Sequence, residues 1–230
     1  MWKINKSFLQ GQLHNAQRRR CEDYATSYQT ADITAIAVAD GAGSLSDSAD
    51  GAMTAAKTAS RYIADNFEKI YSSQNPEKEK FFIIEAIKYE IEKSYGREDF
   101  ENFGSTLLCV AVKDNRYIAV HLGDGVIGSA NADKTAKTVF SAPMNGLTKN
   151  QTYLTGMKNV FRYLRVYTGL TDDISEFVIF TDGIADVFVS ENDNSMLYDT
   201  DKLLSNKCND YMNEKYDGYD DYSFAIMVKL

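Results

Sequence analysis

The sequence predicts an α+β protein in which an antiparallel sheet, or two packed sheets, is covered by helices. Five short segments are apolar or alternate between apolar and polar residues, as strands do. They are ITAIAVAD, STLLCVAV, RYIAVHLGD, EFVIFTD and YSFAIMVKL. Several strands are joined by very short links, which implies antiparallel pairing. Because strands stand before and after the helical stretches and no linker is visible, one domain over residues 1–230 is expected.

Three helices are predicted from apolar residues spaced three and four positions apart. The first follows Ser46 or Ser48, either of which is a suitable N-cap, and runs to Ile70. The second begins near Pro76, since proline is tolerated in a first helical turn. The third is predicted within TDKLLSNKCNDYMNEKY. Their apolar stripes are expected to face the core and to carry no chemistry.

Charge and composition exclude several classes of protein. The formal net charge is -8, which argues against broad nucleic-acid binding, since that requires a basic surface. No apolar run approaches the roughly 18 residues of a membrane span, so no membrane association is expected. The N-terminal segment MWKINKSFLQGQLHNAQ lacks the apolar core of a signal peptide. The 3 cysteines show no CxxC spacing, which favours reduced thiols and a cytoplasmic protein.

Acidic residues are concentrated at the predicted strand ends. They are Glu22, Asp23, Asp40, Asp124, Asp182, Asp220 and Asp221, and Asp40, Asp124 and Asp182 are each followed by glycine. If residues 31–32 form a two-residue hairpin loop, Asp23 lies opposite Asp40. Because antiparallel strand starts and strand ends share an edge, these acids are expected to converge on one rim.

Converging carboxylates need neutralisation. Two unit charges about 4 Å apart cost on the order of 4 kcal/mol at an effective dielectric of 20. Either their pKa values rise or cations bind between them. Ligands that are all oxygen select hard ions such as Mg²⁺, Mn²⁺ or Ca²⁺, so the rim is predicted to be a metal site.

The order of the acidic motifs resembles that of the metal-dependent protein phosphatase 2C family (PPM). The matching segments are CEDYA, AVADGAGS, GSTLLCVAV, VHLGDG, VIFTDGIAD and DDYSFAIMV, which together cover nearly the whole chain. A further segment, NGLTKNQTYLT, is similar to one found in a bacterial branch of that family. The resemblance implies a four-layer α-β-β-α sandwich, with two packed antiparallel sheets flanked by helices and a metal centre at one end.

The resemblance also implies a set of metal ligands: Glu22, Asp23, Asp40, Gly41, Asp124, Asp182 and Asp220. Asp40 would bridge two Mn²⁺ or Mg²⁺ ions and the Gly41 carbonyl would bind one of them. Asp182 would serve the first ion and, with Asp124, a third ion that bacterial members hold.

The remaining ligands divide between the first two ions. Asp220 completes the shell of the first ion together with Asp182, and Glu22 matches the acidic ligand of the second. Asp23 matches either a ligand or an acid behind the ligands, and Asp221 stands where the family has Asn or Asp.

The implied reaction is hydrolysis of a phosphomonoester by a water that bridges the two metal ions, without a protein nucleophile. The implied substrate is a protein carrying phosphoserine or phosphothreonine, and a partner Ser/Thr kinase is compatible with that role. A cytoplasmic monomer is expected.

Two positions differ from the family pattern or match it loosely. Many members have Asp-Gly-His, whose His is proposed to protonate the leaving group, whereas Ala42 stands at that position here. His14 matches a His of the bacterial branch and either donates a proton or anchors a loop. Arg18 stands where some members place a phosphate-binding Arg, although Arg19 and Arg20 are adjacent.

A non-catalytic alternative is a pseudophosphatase or a signal-binding regulatory module on the same fold. The retained acids argue against it. Metal-dependent turnover of p-nitrophenyl phosphate would discriminate between the two hypotheses.

Overall fold

The computed structural model describes residues 1–133, 135–146, 152–190, 193–216 and 218–230, with the backbone alone described at Asp186. Residues 147–151, which belong to the segment NGLTKNQTYLT, lie outside the described residues.

Ten strands form two five-stranded antiparallel sheets within the described ranges. They are β1 (Trp2–Leu9), β2 (Asp23–Gln29), β3 (Ile33–Asp40), β4 (Leu107–Lys113), β5 (Arg116–Leu122), β6 (Val126–Asn131), β7 (Lys137–Ser141), β8 (Arg165–Leu170), β9 (Ile174–Phe180) and β10 (Tyr222–Lys229). One sheet has the order β1-β10-β9-β6-β7 and the other has the order β2-β3-β4-β5-β8.

Helices cover both sheets. They are α1 (Gln12–Gln17), α2 (Ser48–Asp65), α3 (Phe67–Tyr71), α4 (Pro76–Tyr95), α5 (Asp182–Phe188), α6 (Thr200–Leu203) and α7 (Cys208–Lys215), with short 3₁₀ helices at Phe100–Phe103 and Val160–Arg162. Within the described parts of the chain, none of these helices is long and apolar enough to cross a membrane.

Three apolar clusters define the layers. The cluster between the sheets includes Ile36 and Val110 from one sheet and Phe177 and Met227 from the other. A second cluster lies between α2, α4 and the β2-β3-β4-β5-β8 sheet, and a third lies between α5, α6, α7 and the other sheet. The predicted four-layer sandwich is therefore confirmed.

The strand pairing follows from short turns. Thr30 N–H donates to the Ile33 carbonyl at 2.9 Å, which closes the hairpin around residues 31–32 as predicted. The β4–β5 turn likewise sets Lys113 opposite Arg116. These turns place the ends of β3 and β5 at the same rim of the sandwich, where the acids lie.

The predicted helices differ from the structure at their ends. Asp47, rather than Ser46 or Ser48, is the N-cap of α2, and the helix ends at Asp65 rather than Ile70. At this end the side-chain amide of Asn66 donates to the Tyr62 carbonyl at 2.9 Å, beside the Asn66 backbone N–H at 3.0 Å, a local side-chain bond of the kind that favours helix ends.

The third predicted helix is two helices, α6 and α7. Ser205 separates them, because its hydroxyl donates to the Lys202 carbonyl at 2.8 Å and accepts from the Lys207 N–H at 3.1 Å. Serine favours such local bonding over a continuous helix. The start of α4 is as predicted: Pro76 is its first residue, and the Asn75 side chain caps the Lys78 N–H.

Candidate active site

Three carboxyl groups meet at one rim of the sandwich. Asp23 begins β2 and lies directly opposite Asp40, the last residue of β3. Asp182 is the first residue of α5 and is separated from the end of β9 by Thr181 alone. The Asp40 carboxyl lies close enough to those of Asp23 and Asp182 for their negative charges to repel it.

Thr181 orients two of these acids. Its hydroxyl donates to Asp23 Oδ2 at 2.6 Å and accepts from the Ser223 N–H at 2.8 Å, which ties β2 to β10. Asp182 follows it directly in the chain and accepts from the Gly183 N–H at 2.7 Å. Gly183 must stay small, since a Cβ there would lie 2.2 Å from the Asp221 carbonyl oxygen.

The pKa values of the three carboxyls are raised. Burial raises the pKa of Asp23 to about 7, with repulsion from Asp182 adding to the effect. Burial, followed by repulsion from Asp23 and Asp182, raises the pKa of Asp40 well above its usual range. Loss of water around the carboxyl, followed by repulsion from Asp124, raises the pKa of Asp182 to about 6. The metal-free site therefore retains protons at pH values where isolated aspartates have lost them.

Asp124 and Asp220 flank this group. Both repel Asp182, so their negative charges lie near it. Asp124 accepts a short hydrogen bond from the Thr152 hydroxyl. Asp220 is exposed and accepts from the Asp221 N–H at 2.8 Å.

The chemistry of this donor set fits a hard cation. Asp23, Asp40 and Asp182 have no ion pair with a Lys, Arg or His within 4.0 Å among the residues that the structure describes. No group of three acidic, His or Cys side chains in the described ranges is already arranged to hold a metal ion.

Comparison with known proteins identifies the family and the fold of this chain. The family model described as "Protein phosphatase 2C" matches residues 10–215 of the chain. The chain belongs to the protein phosphatase 2C family. The predicted family membership is thereby confirmed.

Solved structures share this fold at low sequence identity. A bacterial serine phosphatase has a TM-score of 0.70 at 14% identity, covering 100% of this chain and 98% of that chain. The serine/threonine phosphatase Stp1 from Staphylococcus aureus has a TM-score of 0.68 at 13% identity, covering 100% and 96%. RsbX in complex with magnesium has a TM-score of 0.57 at 16% identity, covering 99% and 94%. No curated protein sequence matches the chain.

Glu22, which the family pattern assigns to the second metal ion, directly precedes Asp23 in the chain. Its Oε1 accepts a short hydrogen bond from Arg19, which also donates to the Gly43 carbonyl at 2.6 Å. Its Oε2 is buried and has no hydrogen-bond partner among the described residues. A buried carboxylate oxygen without a donor fits a ligand position for a cation.

Asp221 connects the N-terminal segment to the site. Its carboxylate accepts from the Gly11 N–H at 2.7 Å and from the Glu22 N–H at 2.6 Å. The third partner is His14 Nδ1, at 2.8 Å. Asp221 thereby holds the backbone of Glu22 in place, although it was not among the predicted metal ligands.

His14 is buried between two carboxylates. Besides Asp221, its Nε2 lies 3.9 Å from Glu22 Oε2. This environment favours an anchoring role over proton donation, although both roles remain hypotheses. Arg18 is exposed, and its phosphate contact also stays a prediction. Sequence reasoning missed Arg19, Thr152 and Thr181, whose only sequence signal is their nearness to acidic motifs.

We expect His14→Ala to lower the free energy of unfolding by about 1–3 kcal/mol, since a buried acceptor loses a partner. The ratio of kcat for a phosphoserine peptide to kcat for p-nitrophenyl phosphate should not change. Urea unfolding and both rates at saturating Mn²⁺ would measure this. Selective slowing of the peptide, whose leaving group needs a proton, would show instead that His14 is a general acid.

Proposed function

We propose that the protein is a metal-dependent phosphoprotein phosphatase that hydrolyses phosphoserine or phosphothreonine with Mn²⁺ or Mg²⁺. The observation that carries the proposal is the clustering of Asp23, Asp40 and Asp182 at one rim, without an ion pair to a Lys, Arg or His among the described residues. Family membership supports the same activity. An acidic cluster of this kind destabilises the empty site, which is consistent with selection for metal binding.

The residues suited to hold two ions are Asp40, Asp182, Asp220, Glu22 and the carbonyl of Gly41, with Asp23 as a ligand or as the buried acid behind Asp40. Asp124 and Asp182 are suited to a third. Bound ions would lower the pKa of water and neutralise phosphoryl oxygens.

The chain's own residues position this donor set. The Thr181 hydroxyl donates to Asp23, and Asp221 accepts from the Glu22 N–H. Two of the proposed ligands are therefore oriented by residues that are not proposed ligands themselves. Ala42 lines the cavity beside Asp40 and offers no proton to a leaving group. The substrate is proposed to be a phosphorylated protein.

We expect phosphatase activity that requires Mn²⁺ or Mg²⁺ and that EDTA abolishes. Metal-stripped protein should be inactive towards p-nitrophenyl phosphate and should regain its activity on addition of either ion. Isothermal titration of the stripped protein with Mn²⁺ gives a second readout that does not depend on turnover.

Two results would contradict this proposal. Full activity in the stripped protein would exclude the metal-dependent reaction. Tight Mn²⁺ binding without turnover of p-nitrophenyl phosphate or of any phosphopeptide would favour the non-catalytic regulatory module.

A further inference from the structure

A cavity of about 530 Å³ opens directly beside the acidic rim. Asp40 and Asp124 line it on the side of the site, and Tyr153, Leu154, Met157 and Tyr163 line it on the other side. The cavity and the candidate active site therefore share a wall. A substrate whose phosphate reaches Asp40 must place its neighbouring groups in or near this cavity.

The far wall of the cavity is apolar and open to solvent. The rings of Tyr153 and Tyr163 stack with their centroids 3.9 Å apart. Tyr163 is 43% exposed and Met157 is 42% exposed. Exposed apolar side chains gathered in a concave site are typical of ligand binding, because they gain free energy when a ligand covers them.

The part of this wall formed by Tyr153 and Leu154 is held in place on both sides. The Thr152 hydroxyl bonds to Asp124 on one side. On the other side, Thr155 N–H donates to the Ser105 carbonyl at 2.8 Å. This part of the wall is thus formed before a ligand binds, which reduces the entropy cost of binding.

Two further contacts position Met157. The Leu154 N–H donates to the Met157 sulfur at 3.4 Å, which orients that side chain. Gly156 packs so closely that a Cβ there would lie 2.2 Å from the Phe100 carbonyl oxygen. The thioether is therefore presented to the cavity by a segment that is packed against the body of the protein.

The charges in the cavity restrict what it accepts. Among the lining residues that the structure describes, none is a Lys or Arg, and the charged side chains are those of Asp40 and Asp124. An acidic substrate side chain against Tyr163 and Met157 would lose water without gaining a cation. An apolar or aromatic side chain would cover apolar surface on both partners.

We propose that Tyr153, Met157 and Tyr163 form a specificity subsite for an apolar or aromatic residue that adjoins the phosphorylated residue of the substrate. The inference rests on the proposed phosphatase function and adds to it a substrate class: phosphopeptides with a large apolar side chain within two positions of the phosphate. An extended peptide advances about 3.3 Å per residue, so such a side chain reaches a cavity that shares a wall with the site.

The test uses a phosphoserine peptide library in which Leu, Phe, Ser or Glu is placed singly at each of the two positions on either side of the phosphate. For at least one position, kcat/KM should be roughly tenfold higher with Leu or Phe than with Ser. A ratio of this size is expected from the free energy gained when one such side chain is partly buried. Glu at the same position should give the lowest value. Met157→Ala and Tyr163→Ala should each reduce the preference for Leu or Phe over Ser.

Tyr89→Ala is the matched control, because Tyr89 is a 64% exposed tyrosine on α4 and does not line the cavity. It should leave the preference unchanged. Equal kcat/KM for all peptides, or a preference for Glu, would overturn the subsite even if metal-dependent hydrolysis of p-nitrophenyl phosphate is intact. If the wild-type protein does not hydrolyse p-nitrophenyl phosphate with Mn²⁺ or Mg²⁺, the phosphatase function is refuted, and the subsite with it.

Discussion

Asp182→Asn is expected to reduce phosphatase activity by roughly 10³-fold or more, equivalent to about 4 kcal/mol of transition-state stabilisation. The carboxyl of Asp182 lies near the charges of Asp40, Asp124 and Asp220. It therefore stands at the centre of the proposed donor set. An amide at this position removes one negative charge and one oxygen donor, and it weakens binding of the first proposed catalytic ion and of the third ion.

Asp124→Asn is the matched comparison. Asp124 lies at the edge of the acids and already accepts a hydrogen bond from Thr152. We expect a loss of about 10- to 100-fold, comparable to the loss of a supporting group around a metal centre. The measurement is kcat and the Mn²⁺ concentration for half-maximal activity, with circular dichroism to show that both variants are folded. Equal losses in the two folded variants would refute this ranking.

Asp40→Asn is expected to stabilise the metal-free protein at pH 8 while it removes the stabilisation that Mn²⁺ provides. The two N–H groups of the Asn amide can donate hydrogen bonds to the neighbouring carboxylates without adding a third negative charge. A gain of about 1 kcal/mol corresponds to a rise in Tm of roughly 2–4 °C in a chain of this size.

The pH dependence has a definite sign. In the unfolded chain the Asp23 carboxyl ionises near 3.8, whereas burial in the folded protein raises its pKa to about 7. Between these values the folded state holds a proton that the unfolded state has released. The free energy of unfolding therefore falls as the pH rises through this range, and the loss is complete above about pH 7.

Thermal melts of the EDTA-treated protein at pH 5 and pH 8 would measure this effect. The difference in Tm between Asp40→Asn and wild type should be larger at pH 8 than at pH 5. Asp173→Asn, which changes an exposed Asp away from the acids, should shift Tm little at either pH. If Asp40→Asn destabilised the metal-free protein at pH 8 as much as at pH 5, repulsion among the acids would not limit its stability.

Local sequence determined which strands pair and which acids meet across a hairpin. The apolar strand ITAIAVAD and the two-residue loop at residues 31–32 leave one register that buries the correct face. That register sets Asp23 opposite Asp40, as predicted. Helix ends were less predictable, since Asn66 and Ser205 end helices through side-chain hydrogen bonds that apolar periodicity does not reveal.

Only the tertiary structure shows which of two adjacent acidic residues faces Asp40. Glu22 and Asp23 are neighbours in sequence, yet Asp23 lies opposite Asp40 across the hairpin while Glu22 forms an ion pair with Arg19. Successive residues of an extended chain point in opposite directions, so sequence alone gives two acids without assigning a direction to each. Here the direction is set by Asp221, which is distant in sequence and holds the Glu22 N–H.

The same reason explains the parts of the site that sequence reasoning missed. Thr181 and Thr152 are common residues whose roles depend on the acids that other strands bring next to them. The sequence by itself determined the antiparallel strands and the acids at their ends, because both follow from strand periodicity and short turns, while the two-sheet sandwich was implied by the family resemblance. Only the tertiary structure decided which oxygens face one another and which apolar side chains line the neighbouring cavity, because those contacts join residues far apart in the chain.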